Sequence, residues 1–215
     1  MPLNAILASF ALVAASEMGD KTQLLALSLA SRFRRPWTVM AGILTATLAN
    51  HLLASEVGTW VSAHVPPRLM AAVLAAMFIA FGLWALRPDT LDGEGQGSSG
   101  YGPYLTTTVL FFLAEMGDKT QLATVALAAE FRSVSLVTTG TTLGMLASDG
   151  LAVFVGSKLA GRVSMAWIRR GAAALFFAFG LVAAASAFRG GPAPGLGPTP
   201  ASAREPAPAP GRHGG

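Results

Sequence analysis

An eight-residue sequence, EMGDKTQL, occurs twice in this 215-residue chain, at residues 17–24 and 115–122. A shift of 98 residues superimposes the two copies, and the same shift, without a gap, aligns Gly42 with Gly140 and Gly82 with Gly180. The chain is therefore a duplication of a unit of about 86 residues. The two halves are therefore expected to have the same fold.

Each copy of the unit contains three apolar stretches. The chain is 53% hydrophobic and only 12% charged, whereas soluble domains carry about 25% charged residues. Six segments reach the roughly 20 residues that a helix needs to cross a bilayer. They are Leu3–Ser31, Trp37–Ala63, Leu69–Leu86, Tyr104–Ala129, Val134–Val155 and Ile168–Phe188. We expect an all-α integral membrane protein with six transmembrane helices, the first of them retained rather than removed as a signal peptide.

An odd number of spans in each unit means that the second copy enters the membrane from the opposite side. The six helices are thus expected to form two inverted three-helix repeats. The first repeat would occupy residues 1–87 and the second residues 104–188, joined by a linker at residues 88–103. Residues 189–215 are rich in Pro, Gly and Ala with almost no large apolar side chain, so we expect a disordered tail.

Basic residues lie mainly on one side of the expected membrane. The opposite loops hold only Arg68 and Arg132, apart from arginines in the tail. Because basic loops mark the cytoplasmic side, both termini are expected outside the cytoplasm. The eight residues on the basic side are Arg32, Arg34, Arg35, Arg87, Lys158, Arg162, Arg169 and Arg170. The net charge of +4 is small and gathers at segment ends, which indicates no nucleic-acid partner.

The repeated octapeptide places ionisable groups inside apolar spans. Glu17, Asp20 and Lys21 are spaced so that a continuous helix would present them on one face. An ionisable group at this depth costs at least about 2.5–3.5 kcal/mol, so such groups usually serve a function. The second copy supplies Glu115, Asp118 and Lys119, and the neighbouring neutral oxygens belong to Thr22, Gln23, Thr120 and Gln121. Glycines inside both copies are expected to allow a helix break or a close helix contact.

The combined charge of the two motifs predicts a divalent cation. Four carboxylates and two ammonium groups sum to −2. The chain has no cysteine, and oxygen ligands suit Mn²⁺, Ca²⁺ or Mg²⁺ better than Zn²⁺ or Cu⁺. The metal would be a transported substrate, with no resident cofactor. Expected partners are membrane lipid, the divalent cation and protons, and the sequence does not specify an oligomeric state.

Other interpretations stay open at this point. The motifs could be ion pairs that only fix helix packing, which would make the protein a membrane scaffold, or they could line a passive cation channel. Asp149 aligns with His51, and Asn50 aligns with Ser148, so these residues could support the site or relay protons. Motifs of intramembrane enzymes are absent from the sequence, so we expect a protein that is not an enzyme.

The doubled E-x-G-D-K-T motif, Glu17–Thr22 and Glu115–Thr120, resembles the signature of the transmembrane protein 165 family, also called uncharacterised protein family 0016. The resemblance covers residues 1–188. It implies a secondary transporter that exchanges Mn²⁺ or Ca²⁺ for protons, and bacterial members are similar to manganese exporters of the inner membrane. By match of motif, Glu17, Asp20, Glu115 and Asp118 would bind the cation.

Overall fold

The computed structural model describes residues 2–87, 102–159 and 165–189. These ranges contain eight helices and no strand, which confirms the all-α prediction. In chain order the helices are α1 Pro2–Glu17, α2 Lys21–Phe33, α3 Pro36–His64, α4 Pro67–Ala85, α5 Pro103–Glu115, α6 Lys119–Phe131, α7 Val134–Leu159 and α8 Met165–Arg189. Almost all of the predicted linker and tail lie outside the described residues.

The first helix of each repeat is broken at the octapeptide. Helix α1 ends at Glu17 and α2 begins at Lys21, while α5 ends at Glu115 and α6 begins at Lys119. The two helices at the first break are bent by 73°. The predicted segments Leu3–Ser31 and Tyr104–Ala129 therefore each consist of two shorter helices, divided at the glycine where a break was one of the two expected roles.

Glycine makes both breaks possible. Gly19 has a φ of 82° and Gly117 a φ of 76°, in the left-handed region that other residues rarely adopt. One residue with positive φ ends the regular hydrogen-bond ladder, and the chain leaves the break in a new direction. Of the two roles expected for these glycines, the structure shows the helix break.

Several of the described helices could cross a membrane. Helices α3 and α4 are long and apolar enough, as is the stretch Arg169–Phe188 within α8. If the bent pair α1 and α2 counts as one span, there are four candidates in the described residues. An integral membrane protein therefore fits the structure, whereas the six-span inverted arrangement stays a prediction.

Helices of the two repeats pack against each other reciprocally. Helix α1 packs on α7 as α5 packs on α3, and α2 packs on α7 as α6 packs on α3. Helices α4 and α8, which are equivalent in the two repeats, form the most extensive pair. Exchanging the two repeats thus reproduces most of the helix contacts, but not all of them, since α4 packs on α6 and α1 packs on α8 without an equally extensive counterpart.

Aligned glycines allow two of these crossings. A methyl group at Gly42 would lie 2.7 Å from Thr107 Cβ, and one at Gly140 would lie 2.6 Å from the carbonyl oxygen of Ile6. Both distances are shorter than van der Waals contact, so only glycine lets α3 reach α5 and α7 reach α1 at these points.

Two apolar clusters hold the bundle together, and both contain residues of both repeats. One joins α4, α6 and α8 around Phe78, Leu127 and Phe176. The other joins α2, α3 and α5 around Ile43 and Phe111. Since neither cluster belongs to one repeat, the octapeptides are held between two halves that share their cores.

Candidate cation site

The octapeptide forms its own helix start after the first break. Asp20 is the N-cap of α2, and its Oδ1 accepts a hydrogen bond from the Lys21 backbone N–H at 2.6 Å. Gln23, in the first turn of α2, reaches back, and its Oε1 accepts from the Gly19 N–H at 2.8 Å. The side chains of this short sequence thereby satisfy backbone donors that the break leaves without helical partners.

The second break has the same construction. Asp118 is the N-cap of α6, and its Oδ2 accepts from the Thr120 N–H at 3.5 Å. Gln121 Oε1 accepts from the Gly117 N–H at 2.7 Å. Gln23 and Gln121, predicted to offer oxygens to a cation, instead use their Oε1 atoms on the backbone of the breaks.

Three carboxylates from both repeats meet between the two breaks. One oxygen each of Glu17, Glu115 and Asp118 lies within 4.8 Å of the others, and all three residues are buried. Asp20 is also buried, but it does not join this group. The structure thus brings together three of the four predicted cation-binding acids.

The lysines of the octapeptides pair across the repeats. Lys119 Nζ lies 2.6 Å from Asp20 Oδ2, and Lys21 Nζ lies 3.8 Å from Asp118 Oδ1. The expectation that each motif presents its acids and lysine on one helix face is wrong, because the helix breaks between Glu17 and Lys21. Each lysine instead compensates the aspartate of the other repeat.

The two glutamates differ in their hydrogen bonds. Glu17 Oε2 accepts from Thr22 Oγ1 at 2.6 Å, and Glu17 Oε1 accepts from Thr120 Oγ1 across the repeat interface. Both carboxylate oxygens of Glu115 are buried and have no hydrogen-bond partner among the described residues. Thr22 and Thr120, predicted to support the site, therefore both orient one carboxylate.

The predicted supporting residues in α3 and α7 lie around this cluster. Asn50 Nδ2 donates to the carbonyl of Phe112 at 3.1 Å, in the turn of α5 that precedes Glu115. Gln23 Nε2 donates to the backbone carbonyl and hydroxyl of Ser148, at 2.9 and 3.2 Å. These bonds attach α3 and α7 to the broken helices of the opposite repeats.

Asp149 is fully buried and within electrostatic reach of Glu17, Asp20 and Glu115. Its two carboxylate oxygens have no hydrogen-bond partner in the described part of the chain, and neither does the ring of His51. Asp149 thus adds a further acid to the electrostatics of the cluster, and its predicted role as a supporting residue or proton relay stays a prediction.

One buried acid was missed by the sequence analysis. Glu130, near the end of α6, is 5% exposed, and its Oε2 has no hydrogen-bond partner among the described residues. It borders a cavity of about 170 Å³ with Phe78, Phe131 and Phe179. The available signal was an acid directly after the predicted span Tyr104–Ala129 that aligns with a basic residue, Arg32, in the first repeat.

An all-helical chain with apolar candidate spans and buried carboxylates at paired helix breaks has the features of membrane cation transporters. Comparison with known families makes this specific. The chain belongs to the divalent cation/proton antiporter GDT1 family, whose model matches residues 5–93 and again residues 103–191. The resemblance seen in the octapeptides is confirmed. Because the family consists of transporters, the prediction that the protein is not an enzyme is confirmed too.

Curated relatives support the same membership. A protein of Vibrio cholerae named "Putative manganese exporter" is 43% identical over 187 residues, covering 86% of this chain and 92% of the relative. The "GDT1-like protein sll0615" of Synechocystis is 32% identical, covering 84% of this chain and 96% of the relative. "GDT1-like protein 4" of rice is 30% identical over 83% of this chain and 72% of its own length. No solved structure matches the chain.

Proposed function

We propose that this protein exports Mn²⁺ across the membrane in exchange for protons, with Ca²⁺ as the alternative cation. The cation would bind between the two helix breaks, to Glu17, Glu115 and Asp118. The observation that supports this site best is the approach of these three carboxylates, from both repeats, to within 4.8 Å of one another in a buried position.

The separation of the carboxylates suits a hard divalent cation. Oxygen ligands lie about 2.0–2.6 Å from Mg²⁺ or Ca²⁺, so two ligands on opposite sides of an ion are separated by about twice that distance. The three carboxylate oxygens, all within 4.8 Å of one another, do not exceed this separation. The choice of Mn²⁺ rests on the name of the Vibrio cholerae relative, and the oxygen donors are of a kind that Mn²⁺ accepts.

The charge of the site links the cation to protons. Lys119 and Lys21 compensate Asp20 and Asp118, so that of the four octapeptide acids Glu17 and Glu115 are left with an uncompensated charge of −2. Two such charges in a poorly hydrated site are costly unless a divalent cation or protons neutralise them. A site that is either metal-loaded or protonated exchanges one for the other, which is the basis of antiport.

The membrane arrangement that goes with this function is six spans in two inverted three-helix repeats. Both termini would lie outside the cytoplasm of a bacterial cell, in the inner membrane. The reciprocal packing of α1 on α7 and α5 on α3 supports a twofold relation between the repeats. A cavity beside Asp20 and Lys119 has a volume of about 10 Å³, space for about one water molecule.

Flux measurements in vesicles test the proposal. The purified chain would be reconstituted, a pH gradient imposed, and the movement of Mn²⁺, Ca²⁺ and Mg²⁺ recorded. We expect saturable Mn²⁺ flux that follows the proton gradient. Glu17→Gln and Glu115→Gln should each reduce it at least about 100-fold, since each removes a buried charge that compensates the cation.

Glu56→Gln is the matched control. Glu56 is an exposed acid of α3, outside the cluster, and no acid aligns with it in the second repeat. This variant should transport like the unmodified protein. Flux that ignores the pH gradient, or normal flux in either cluster variant, would show that the exchange mechanism is wrong.

A further inference from the structure

The two octapeptides are identical in sequence but not in surroundings. Lys119 and Asp20 form a short ion pair, and the Lys119 side chain is 4% exposed. Lys21 and Asp118 are 3.8 Å apart, and the Lys21 side chain is 23% exposed. Because the octapeptides themselves are identical, the difference arises from how each copy is packed within the bundle.

The same asymmetry extends to the carboxylates. Asp118, whose lysine is distant, belongs to the group of three converging carboxylates, whereas Asp20, whose lysine is close, does not. The two threonine hydroxyls both donate to Glu17, and Glu115 receives neither. The aspartate of the first repeat, Asp20, is therefore held in a short ion pair, whereas the aspartate of the second repeat, Asp118, contributes to the cluster.

We propose that Lys21 and Lys119 are switching residues that alternately close the two sides of the site. In the conformation described here, Lys119 forms a short ion pair with Asp20, and the ion pair between Lys21 and Asp118 is longer. In the opposite conformation Lys21 would hold Asp118, Lys119 would release Asp20, and Asp20 would replace Asp118 beside the two glutamates.

The reciprocal contacts carry this inference. Exchanging the repeats reproduces most of the helix packing, whereas the contacts of α4 with α6 and of α1 with α8 have no equally extensive counterpart. A conformation in which the two octapeptides swap environments would keep the shared contacts and form the exchanged pairs, α8 with α2 and α5 with α4. Each aspartate has two possible partners, the substrate cation and the lysine of the other repeat. A lysine that occupies one aspartate keeps the cation off it, and the cation passes from Asp118 to Asp20 as the pairs exchange. The proposal rests on the transport function proposed above.

The chain contains no cysteine, so a single introduced thiol can report which side is open. Met18 lines the small cavity beside Asp20 and Lys119, and the aligned Met116 is 56% exposed. Met18→Cys and Met116→Cys would be placed separately in the full chain, reconstituted in oriented vesicles without metal. A membrane-impermeant thiol reagent would be added to each side, and the labelling rate measured.

Lys119→Met and Lys21→Met, the same substitution at aligned positions, should act in opposite directions. Lys119→Met removes the closed pair, so labelling at Met18→Cys should rise about tenfold or more. Lys21→Met disfavours the opposite conformation, so labelling at Met18→Cys should fall below that of the parent. Lys119→Arg keeps the charge and should label at nearly the parent rate.

An unpaired Asp20 could impair folding of Lys119→Met. The double variant Asp20→Asn with Lys119→Met leaves no unpaired charge and should show the same rise. The idea is overturned if the two lysine variants shift labelling in the same direction, or if neither shifts it. Because labelling is measured without metal, a failure of Mn²⁺ flux in the parent protein would count against the proposed function and not against this switch.

Discussion

The hydrogen bond from Thr120 to Glu17 crosses the interface between the repeats, so removing it should weaken cation binding without removing any charge. Thr120 is fully buried, and its Oγ1 donates to Glu17 Oε1. Thr120→Val replaces the hydroxyl with a methyl group of similar size. Glu17 then keeps only the bond from Thr22, and one of its oxygens is no longer oriented.

The expected magnitude follows from the acceptor. A hydrogen bond to a charged group contributes about 1.5–3 kcal/mol, and each 1.4 kcal/mol is about tenfold in affinity. The Mn²⁺ concentration for half-maximal flux should therefore rise about 10- to 100-fold, the range typical for losing a group that orients a metal ligand. The assay is initial Mn²⁺ flux into vesicles over a range of Mn²⁺ concentrations at a fixed pH gradient.

Thr124→Val is the matched control for this measurement. Thr124 lies one turn further along α6, is equally buried, and its hydroxyl donates only to the carbonyl of Thr120, at 2.8 Å. Its valine variant loses a hydroxyl in the same helix but no contact with a carboxylate. If the two valine variants require the same Mn²⁺ concentration, Thr120 does not orient Glu17 and the reasoning fails.

Two further predictions concern packing and topology. Gly140→Ala should lower the free energy of unfolding by about 1–3 kcal/mol, because its methyl group would collide with the backbone of Ile6. Gly150→Ala is the control and should leave the free energy of unfolding unchanged, because its methyl group would lie 3.7 Å from Met40 Cε. Thermal unfolding in detergent compares the two variants. A C-terminal alkaline phosphatase fusion should be active and a C-terminal fluorescent protein dark, because the distribution of basic residues predicts a C-terminus outside the cytoplasm. The reverse pattern would contradict the inverted topology.

The paired organisation of the fold was predictable from the sequence, since the aligned octapeptides recur at equivalent points of the helix order. The glycines of the octapeptides allowed either a helix break or a close helix contact, and a further local signal in the sequence favoured the break. Gly19 precedes Asp20, and Gln23 follows three residues later, which is the pattern of a capped helix start. The spacing of Glu17, Asp20 and Lys21 and the length of the apolar span favoured an unbroken helix, whereas the capping residues favoured a break.

The partners of the charged side chains could not be predicted from the sequence. Within one octapeptide the closest opposite charges are Asp20 and Lys21, yet the short ion pair joins Asp20 to Lys119. That choice depends on how α2 and α6 pack in three dimensions, which no local pattern encodes. The burial of Glu130 was unpredictable for a related reason, because an acid near a helix end is usually exposed and only tertiary packing buries it.

The crossed ion pairs have a consequence for how this chain can vary. A charge reversal at position 20 leaves Lys119 facing a like charge, and a reversal at position 118 does the same to Lys21. The compensating substitution in each case lies almost a hundred residues away, in the other copy of the duplicated unit. Substitutions at these positions in one half are therefore expected to require compensating substitutions in the other half. In a chimaera, a half taken from a distant relative would need a lysine and an aspartate that form the same two ion pairs.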